Sequence, residues 1–272
     1  MPEGPEIRRA AMRLDKVLHG QLLDEVYFGQ SHLQRHAQLL EGTRVAFVTS
    51  RSKAILTHFD NDLSLYSHNQ LYGRWYITRR HRWPTTNRTL RVALHTRDHS
   101  ALLYSASDIE LLDPPGVAAH PYLQRLGPDA LDASVTWRDV AARLRDPQFK
   151  RRALAALYLD QGFVAGIGNY LRSEILFTAG VEPSRKAQSL SRGQVGGLAR
   201  ATLDITRRAL ATAGVTNPST RVKALQKQGL KREAYRFAVF GRDQQPCYVC
   251  GSAIRRITMS SRRLYYCPSC QS

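Results

Sequence analysis

All four cysteines of this 272-residue chain, Cys247, Cys250, Cys267 and Cys270, lie at or beyond position 247, in the pattern C-x2-C-x16-C-x2-C. Two thiolates separated by two residues fit on one tight turn and point at a common centre. Two such turns supply the tetrahedral sulfur set that zinc prefers. Disulfides are the competing use, but residues 1–246 contain no cysteine and the opening residues carry charges where an export signal would be apolar. A single zinc ion held by four cysteines has no open coordination position, so its expected role is structural. Between the pairs, Arg255, Arg256, Arg262 and Arg263 stand with Thr258, Leu264, Tyr265 and Tyr266. That composition describes a basic two-stranded hairpin suited to a phosphate backbone. A zinc-stapled hairpin with merely solvated arginines is the plainer reading.

A second source of chemistry lies at the opposite end, Met1-Pro2-Glu3-Gly4-Pro5-Glu6. A small residue at position 2 permits removal of the initiator methionine, which would expose the secondary amine of Pro2. Such an amine can attack an electrophilic sugar carbon. The resulting iminium has no N–H proton to lose, so it stays positive and acts as an electron sink. Glu3 beside it could serve as general acid or base. Taken alone, these residues also suit an ordinary helix entry, with Pro at the start and Glu in the first turn.

These groups need elements to position them. Residues 3–18 carry Ile7, Ala10, Ala11, Leu14, Val17 and Leu18 on one helical face, with Gly20 as a stop. Between 21 and 112 the pattern becomes seven short β-type runs, which predicts an antiparallel sandwich or barrel. Residues 113–132 hold four prolines and read as a linker. Helices are expected over Trp137–Leu144, Phe149–Asp160, Asn169–Phe177 and Arg192–Ala213, and a polar, basic loop over 214–235. The 40 Lys plus Arg exceed the 22 Asp plus Glu by 18, which points to a polyanion such as nucleic acid. An apolar fraction of 43% argues against disorder, and no apolar run reaches membrane-spanning length.

Three internal segments carry further signals. In 50–59, SRSKAILTHF, Lys53 stands at a turn that opens a strand, where a solvated charge is the ordinary reading. In 65–75, Gln70, Leu71 and Tyr72 precede Gly73, so a tight loop presents three large side chains. A wedge of this kind fills the hole left when a base is flipped from its stack, although a packed strand end is an equal alternative. In 160–176, Gly162, Gly166 and Gly168 break two helical patterns and Asn169 opens the second helix, whose exposed N–H groups suit phosphate. A purely structural glycine turn fits as well.

Together, MPEGPEIRRA and these three segments resemble the formamidopyrimidine-DNA glycosylase/endonuclease VIII family of base-excision repair enzymes, over essentially the whole chain and most closely its endonuclease VIII branch. Pro2, Glu3, Pro5 and Glu6 match the family's opening residue for residue. The resemblance implies Pro2 as Schiff-base nucleophile, Glu3 as the acid/base for ring opening and base loss, and Glu6 as a support at most. It implies that Lys53 reaches the sugar, that Gln70, Leu71 and Tyr72 fill the void, and that Asn169 contacts phosphate within a helix–two-turn–helix motif. Arg125, in 120–129, inherits a phosphate contact. Arg262, five residues before Cys267, inherits the grip on phosphates flanking the flipped nucleotide and a part in the second elimination. Arg263 points the other way on a strand, so a one-residue register shift would exchange them. Glu174 is read as structural. The segment 215–237 is longer and more basic than the endonuclease VIII pattern.

The expected fold is α+β in two domains: an N-terminal helix with an antiparallel β-sandwich (1–112), a linker (113–135), a helical domain with the helix–two-turn–helix motif (136–235) and a zinc-finger β-hairpin (236–272). The expected function is a bifunctional glycosylase/lyase that excises oxidised pyrimidines and cuts by β,δ-elimination. Alternatives are the same chemistry on 8-oxoguanine or formamidopyrimidine lesions, or a non-catalytic zinc-containing DNA-binding protein on the same scaffold. One structural zinc, damaged double-stranded DNA as partner, no membrane, a monomeric state and a bacterial cytoplasmic location associated with the nucleoid complete the expectation.

Overall fold

The computed structural model describes residues 2–272, so Met1, and with it the expectation that it is removed, lies outside the described residues. The chain divides into two compact units, one of Pro2 with Glu6–Arg125, the other of Glu3–Pro5 with Leu126–Ser272.

In the first unit from Glu6 onward, α1 (Gly4–Leu18) places Ile7, Ala11, Leu14 and Leu18 on one face, each at most 1% exposed. Eight strands follow: β1 (Glu25–Phe28), β2 (Val45–Arg51), β3 (Ala54–Phe59), β4 (Ser64–His68), β5 (Arg74–Arg79), β6 (Leu90–His95), β7 (His99–Tyr104) and β8 (Asp108–Leu112), with a short helix α2 (Ser31–Gln34) after β1. They pair antiparallel in two sheets, β1-β6-β7-β5 and β2-β3-β4-β8. Apolar side chains of both sheets, among them Phe28, Ile55, Leu65, Trp75 and Leu103, share one core with the α1 face. This is the expected helix-plus-sandwich. The proline-rich stretch is not a plain linker. It forms α3 (Pro114–Ala119) and α4 (Pro121–Gln124), each started by Pro and capped by the side chain before it, Asp113 and His120. Pro has no N–H to leave unpaired in a first turn, so the same residues that break a helix begin one here.

The second unit holds α5 (Trp137–Arg145), α6 (Leu154–Leu157), α7 (Asn169–Thr178), α8 (Arg192–Ala211), α9 (Ser219–Lys227), α10 (Arg232–Tyr235) and the antiparallel hairpin β9 (Arg255–Met259) with β10 (Arg262–Tyr266). Phe149, Leu154, Phe163, Leu171, Ile175 and Leu198 belong to its main core. Two expectations fail. The helix expected over Phe149–Asp160 shrinks to α6, because Leu154 N and Ala155 N donate instead to the carbonyls of Arg185 and Pro183. The expected loop 214–235 contains α9 and α10; α9 buries Leu225 alone, too little apolar content to register as a periodic pattern. Among the described residues no helix is long and apolar enough to cross a membrane.

Candidate active site

In the first unit Pro2 is half-buried and lines a cleft of about 260 Å³ with Glu6, Arg13, Leu71, Tyr72 and Arg88. The amphipathic pattern of α1 fixes the near wall, since burying Ile7 and Leu14 turns Glu6, Ala10 and Arg13 outward to the cleft. The opposite wall is the loop after β4. Gly73 N donates to the Asn69 carbonyl at 2.7 Å, and a Cβ at Gly73 would stand 2.6 Å from that same oxygen, so only glycine closes this turn. The loop holds Gln70 with φ 47°, steadied by Ser107 Oγ donating to its Oε1 at 2.8 Å. Leu71 and Tyr72 are left 52% and 65% exposed, and Arg88 donates to the Tyr72 carbonyl. Left in water, these two adjacent apolar side chains gain nothing on folding and would gain burial only under a ligand.

Lys53 is half-buried at the tip of the β2–β3 hairpin, where Arg51 pairs with Ala54 and only Ser52 and Lys53 intervene. Ser52 takes φ 59°, an unfavoured conformation for a side-chain-bearing residue. Tyr122 holds it: its hydroxyl donates to Ser52 Oγ at 3.0 Å and accepts from Lys53 N at 3.3 Å. Behind Tyr122, burial lowers the pKa of His68, and the cationic Lys53 and Arg125 lower it further, against an opposing pull from Asp108. Arg125 is exposed, with its guanidinium 5.3 Å from the Tyr122 ring centroid.

The second unit contains Glu3, which is 4% exposed. Its carboxylate accepts from Gly168 N and Tyr170 N, both at 2.8 Å, and from Leu171 N at 3.3 Å. These are the orphan donors that every helix start presents, here those of α7, and the helix dipole adds to their attraction for negative charge. The glycine-rich turn makes the approach possible. A Cβ on Gly168 would lie 2.3 Å from Glu3 Cδ. Gln161 braces the turn, donating through Nε2 to the carbonyls of Leu159 and Ile167 and accepting from Gly166 N.

Asn169, expected at phosphate, also ties α7 to the hairpin. Its Nδ2 donates to the Arg263 carbonyl at 2.7 Å and its Oδ1 accepts from Arg172 at 2.6 Å, leaving one amide proton for a further acceptor. Arg172 carries no motif in the sequence. It is fully buried and also donates to the Ala155 carbonyl, and desolvation brings its pKa down to about 10, with Glu3 opposing and Arg262 reinforcing the shift. Its only sequence signal is the three-residue spacing from Asn169. Arg262 and Arg263 are both exposed and pair with Met259 and Thr258, so they project to opposite faces of the hairpin. Glu174, read as structural, is buried and accepts from Ala238 N, Val239 N and Phe240 N at 2.8–2.9 Å.

The four cysteine sulfurs lie within 4.8 Å of one another, with Cys247–Cys270 at 3.9 Å and Cys250–Cys267 at 3.4 Å. Zinc–sulfur bonds of about 2.3 Å put tetrahedral sulfurs about 3.8 Å apart, so the residues present fit one zinc. Such a centre is closed to substrate and holds the hairpin, whose Tyr265 and Ile254 pack with Phe177 of α7 and Val239.

Three families of domains match this chain: "Formamidopyrimidine-DNA glycosylase N-terminal domain" over residues 1–107, "Formamidopyrimidine-DNA glycosylase H2TH domain" over 126–220, and "Zinc finger found in FPG and IleRS" over 244–272. Proteins named Endonuclease 8 from Shigella sonnei and Escherichia coli O17:K52:H18 are each 49% identical to it over 271 residues, covering all of both chains. A Lactococcus lactis Fpg (MutM) in complex with N7-benzyl-Fapy-dG DNA superposes with a TM-score of 0.83 at 20% identity, again over all of both chains. A second structure of that glycosylase, non-covalently bound to DNA containing an AP site, gives 0.82 at 19% identity over 99% of each.

Proposed function

This chain belongs to the formamidopyrimidine-DNA glycosylase family, and from that premise we propose that it excises oxidised pyrimidines from double-stranded DNA with Pro2 as its nucleophile. It is a DNA glycosylase with AP-lyase activity in base-excision repair, it binds DNA, and it carries one structural zinc on Cys247, Cys250, Cys267 and Cys270. The observation that carries the assignment of roles is the Glu3 carboxylate, held by three backbone N–H donors and covalently next to Pro2.

Once Met1 is removed, the Pro2 nitrogen attacks C1′ of the damaged nucleotide and the glycosidic C–N bond breaks. Glu3 moves the proton that ring opening and base departure require, and Lys53 assists at the sugar. The iminium at C1′ acidifies the C2′ proton; its removal expels the 3′ phosphate, and a second elimination, aided by Arg262, expels the 5′ phosphate. Gln70, Leu71 and Tyr72 fill the vacated stack, where exposed Leu and Tyr gain the cover they lack in the free protein. Arg125 and Asn169 hold phosphates. Pyrimidine preference rests on the contiguous Gln70–Leu71–Tyr72 loop and on the identity to the Endonuclease 8 proteins. The enzyme acts as a cytoplasmic monomer that meets its substrate on the nucleoid.

Borohydride trapping tests the reading, using untagged protein of verified N-terminal mass and a duplex with one abasic site. A covalent adduct mapping to Pro2, lost or slowed in Pro2→Gly, is expected. No adduct, despite loss of Met1 and measurable DNA binding, overturns the nucleophile. Duplexes carrying dihydrouracil or 8-oxoguanine decide the branch: faster excision of 8-oxoguanine overturns the pyrimidine preference.

A further inference from the structure

Away from the α7 start and the hairpin, the second unit carries a pocket of about 320 Å³ between α5 and α8. Its floor is apolar: the half-buried Trp137, the methyl of Ala141 and the side chain of Val195. Its rim is Arg138, Arg145, Arg192 and Arg200, all exposed. Two of these guanidiniums lie on the indole, Arg138 at 5.1 Å and Arg200 at 4.8 Å from the ring centroid. Gly196 leaves the space for this, since a Cβ there would meet Arg200 Nη2 at 3.2 Å. Among the described residues no carboxylate forms an ion pair with any of the four.

Four cations around one apolar floor repel one another and carry no counter-charge of their own. Stacking on Trp137 fixes two of them in place before any ligand arrives, which lowers the ordering cost of binding. Phosphate alone would need the arginines but not the floor. A purely apolar partner would need the floor but not the arginines. We propose that this pocket docks an acidic peptide segment carrying a large apolar side chain, the carboxylates meeting the arginine rim and the apolar group seated against Trp137 and Val195. The volume, at the low end for ligand pockets, suits one or two such side chains rather than a folded surface. The charge complementarity gives fast, salt-sensitive docking of a flexible acidic tail on another protein.

The test uses a fluorescein-labelled peptide of four aspartates followed by two phenylalanines, read by anisotropy against the full-length zinc-loaded protein. Saturable binding is expected, weakened about tenfold or more by Arg200→Glu or Arg138→Glu. A control charge reversal elsewhere, Lys16→Glu, changes net charge equally and should change affinity little. Replacing both phenylalanines by serine should weaken binding to a similar degree as the pocket variants. Cleavage of damaged duplex by Arg138→Glu and Arg200→Glu should match the parent protein. Equal binding of the serine peptide, or equal loss with Lys16→Glu, means bulk charge alone and overturns the proposal. So does a fall in duplex affinity with the two pocket variants, which would make the patch a DNA contact.

Discussion

Replacing Gly168 by alanine tests the proposed role of Glu3 without touching Glu3. The new Cβ would stand 2.3 Å from Glu3 Cδ and 2.6 Å from Cγ and Oε1, distances that real carbon contacts do not reach. Relief requires the carboxylate to retreat by more than an ångström, which breaks bonds of 2.8 Å to Gly168 N and Tyr170 N. Hydrogen bonds to a charged group contribute about 1.5–3 kcal/mol each. The displaced carboxylate is rehydrated, however, so the net loss resembles removal of a helix cap, about 0.5–2 kcal/mol. For a domain of this size that lowers Tm by roughly 1–8 °C, leaving the protein folded. A misplaced general acid/base removes about 100-fold or more in rate. Single-turnover excision of dihydrouracil from a duplex, run beside Glu3→Gln and a melting curve, should therefore show Gly168→Ala folded, zinc-loaded and slowed to the same degree as Glu3→Gln. Borohydride trapping at a pre-formed abasic site should suffer less, because the base has already gone. Gly197→Ala in α8 is the control: nothing lies within 4 Å of its Cβ, so the change should stabilise by about 1 kcal/mol through helix propensity. Parental excision rates in Gly168→Ala would refute the role given to Glu3.

Three further outcomes are expected. Chelation of zinc should loosen the hairpin and with it the Asn169 and Arg172 contacts to Arg263, lowering DNA affinity; tight binding after verified metal release would contradict this. Binding to duplex should weaken linearly in log K against log salt, and Arg125→Ala or Arg262→Ala should each reduce the slope by about 0.9; an unchanged slope removes that arginine from the phosphate contacts. Burial lowers the pKa of His58, His68 and His95 below 6.5, so the unfolded chain binds protons more readily than the sandwich. Stability from these groups is complete above about pH 6.5 and is lost as pH falls through their folded values, which scanning calorimetry from pH 7.5 to 5 should record as a falling Tm.

The parts of the site readable in sequence are those whose chemistry needs particular residues at short spacing. Cys247 to Cys270 form such a set, and so do the glycines before Asn169, because a tight turn leaves few alternatives. Short β-type runs separated by turn residues also point to the sandwich, whose two sheets share one apolar core. Long-range contacts left no such trace. Nothing near Lys53 announces Tyr122, 69 residues on, as the group that holds its turn. Arg172 looks like a surface residue of α7 until Ala155, Asn169 and the hairpin close around it. The helical spacing over Phe149–Asp160 was genuine, yet the carbonyls of Pro183 and Arg185 outcompeted the helix for Leu154 N and Ala155 N. At 113–125 the prolines mark a break after the strands, yet proline opens helices there as readily as it ends them.

The staple between Glu3 and the start of α7 joins residues 165 to 168 positions apart. At a synthesis rate of about 5–20 residues per second, Glu3 is added to the chain roughly 8–33 seconds before Gly168. During that interval α1 and the eight strands can fold locally while the carboxylate has no donors to receive it. Closing so long a loop adds little entropy cost beyond that of a shorter one, so the staple forms readily once α7 is made. Arg172 then waits for Met259 and Arg263, which are synthesised near the end of the chain. The order of translation thus leaves Glu3 without its backbone donors, and Arg172 without its hairpin partners, until those later segments exist.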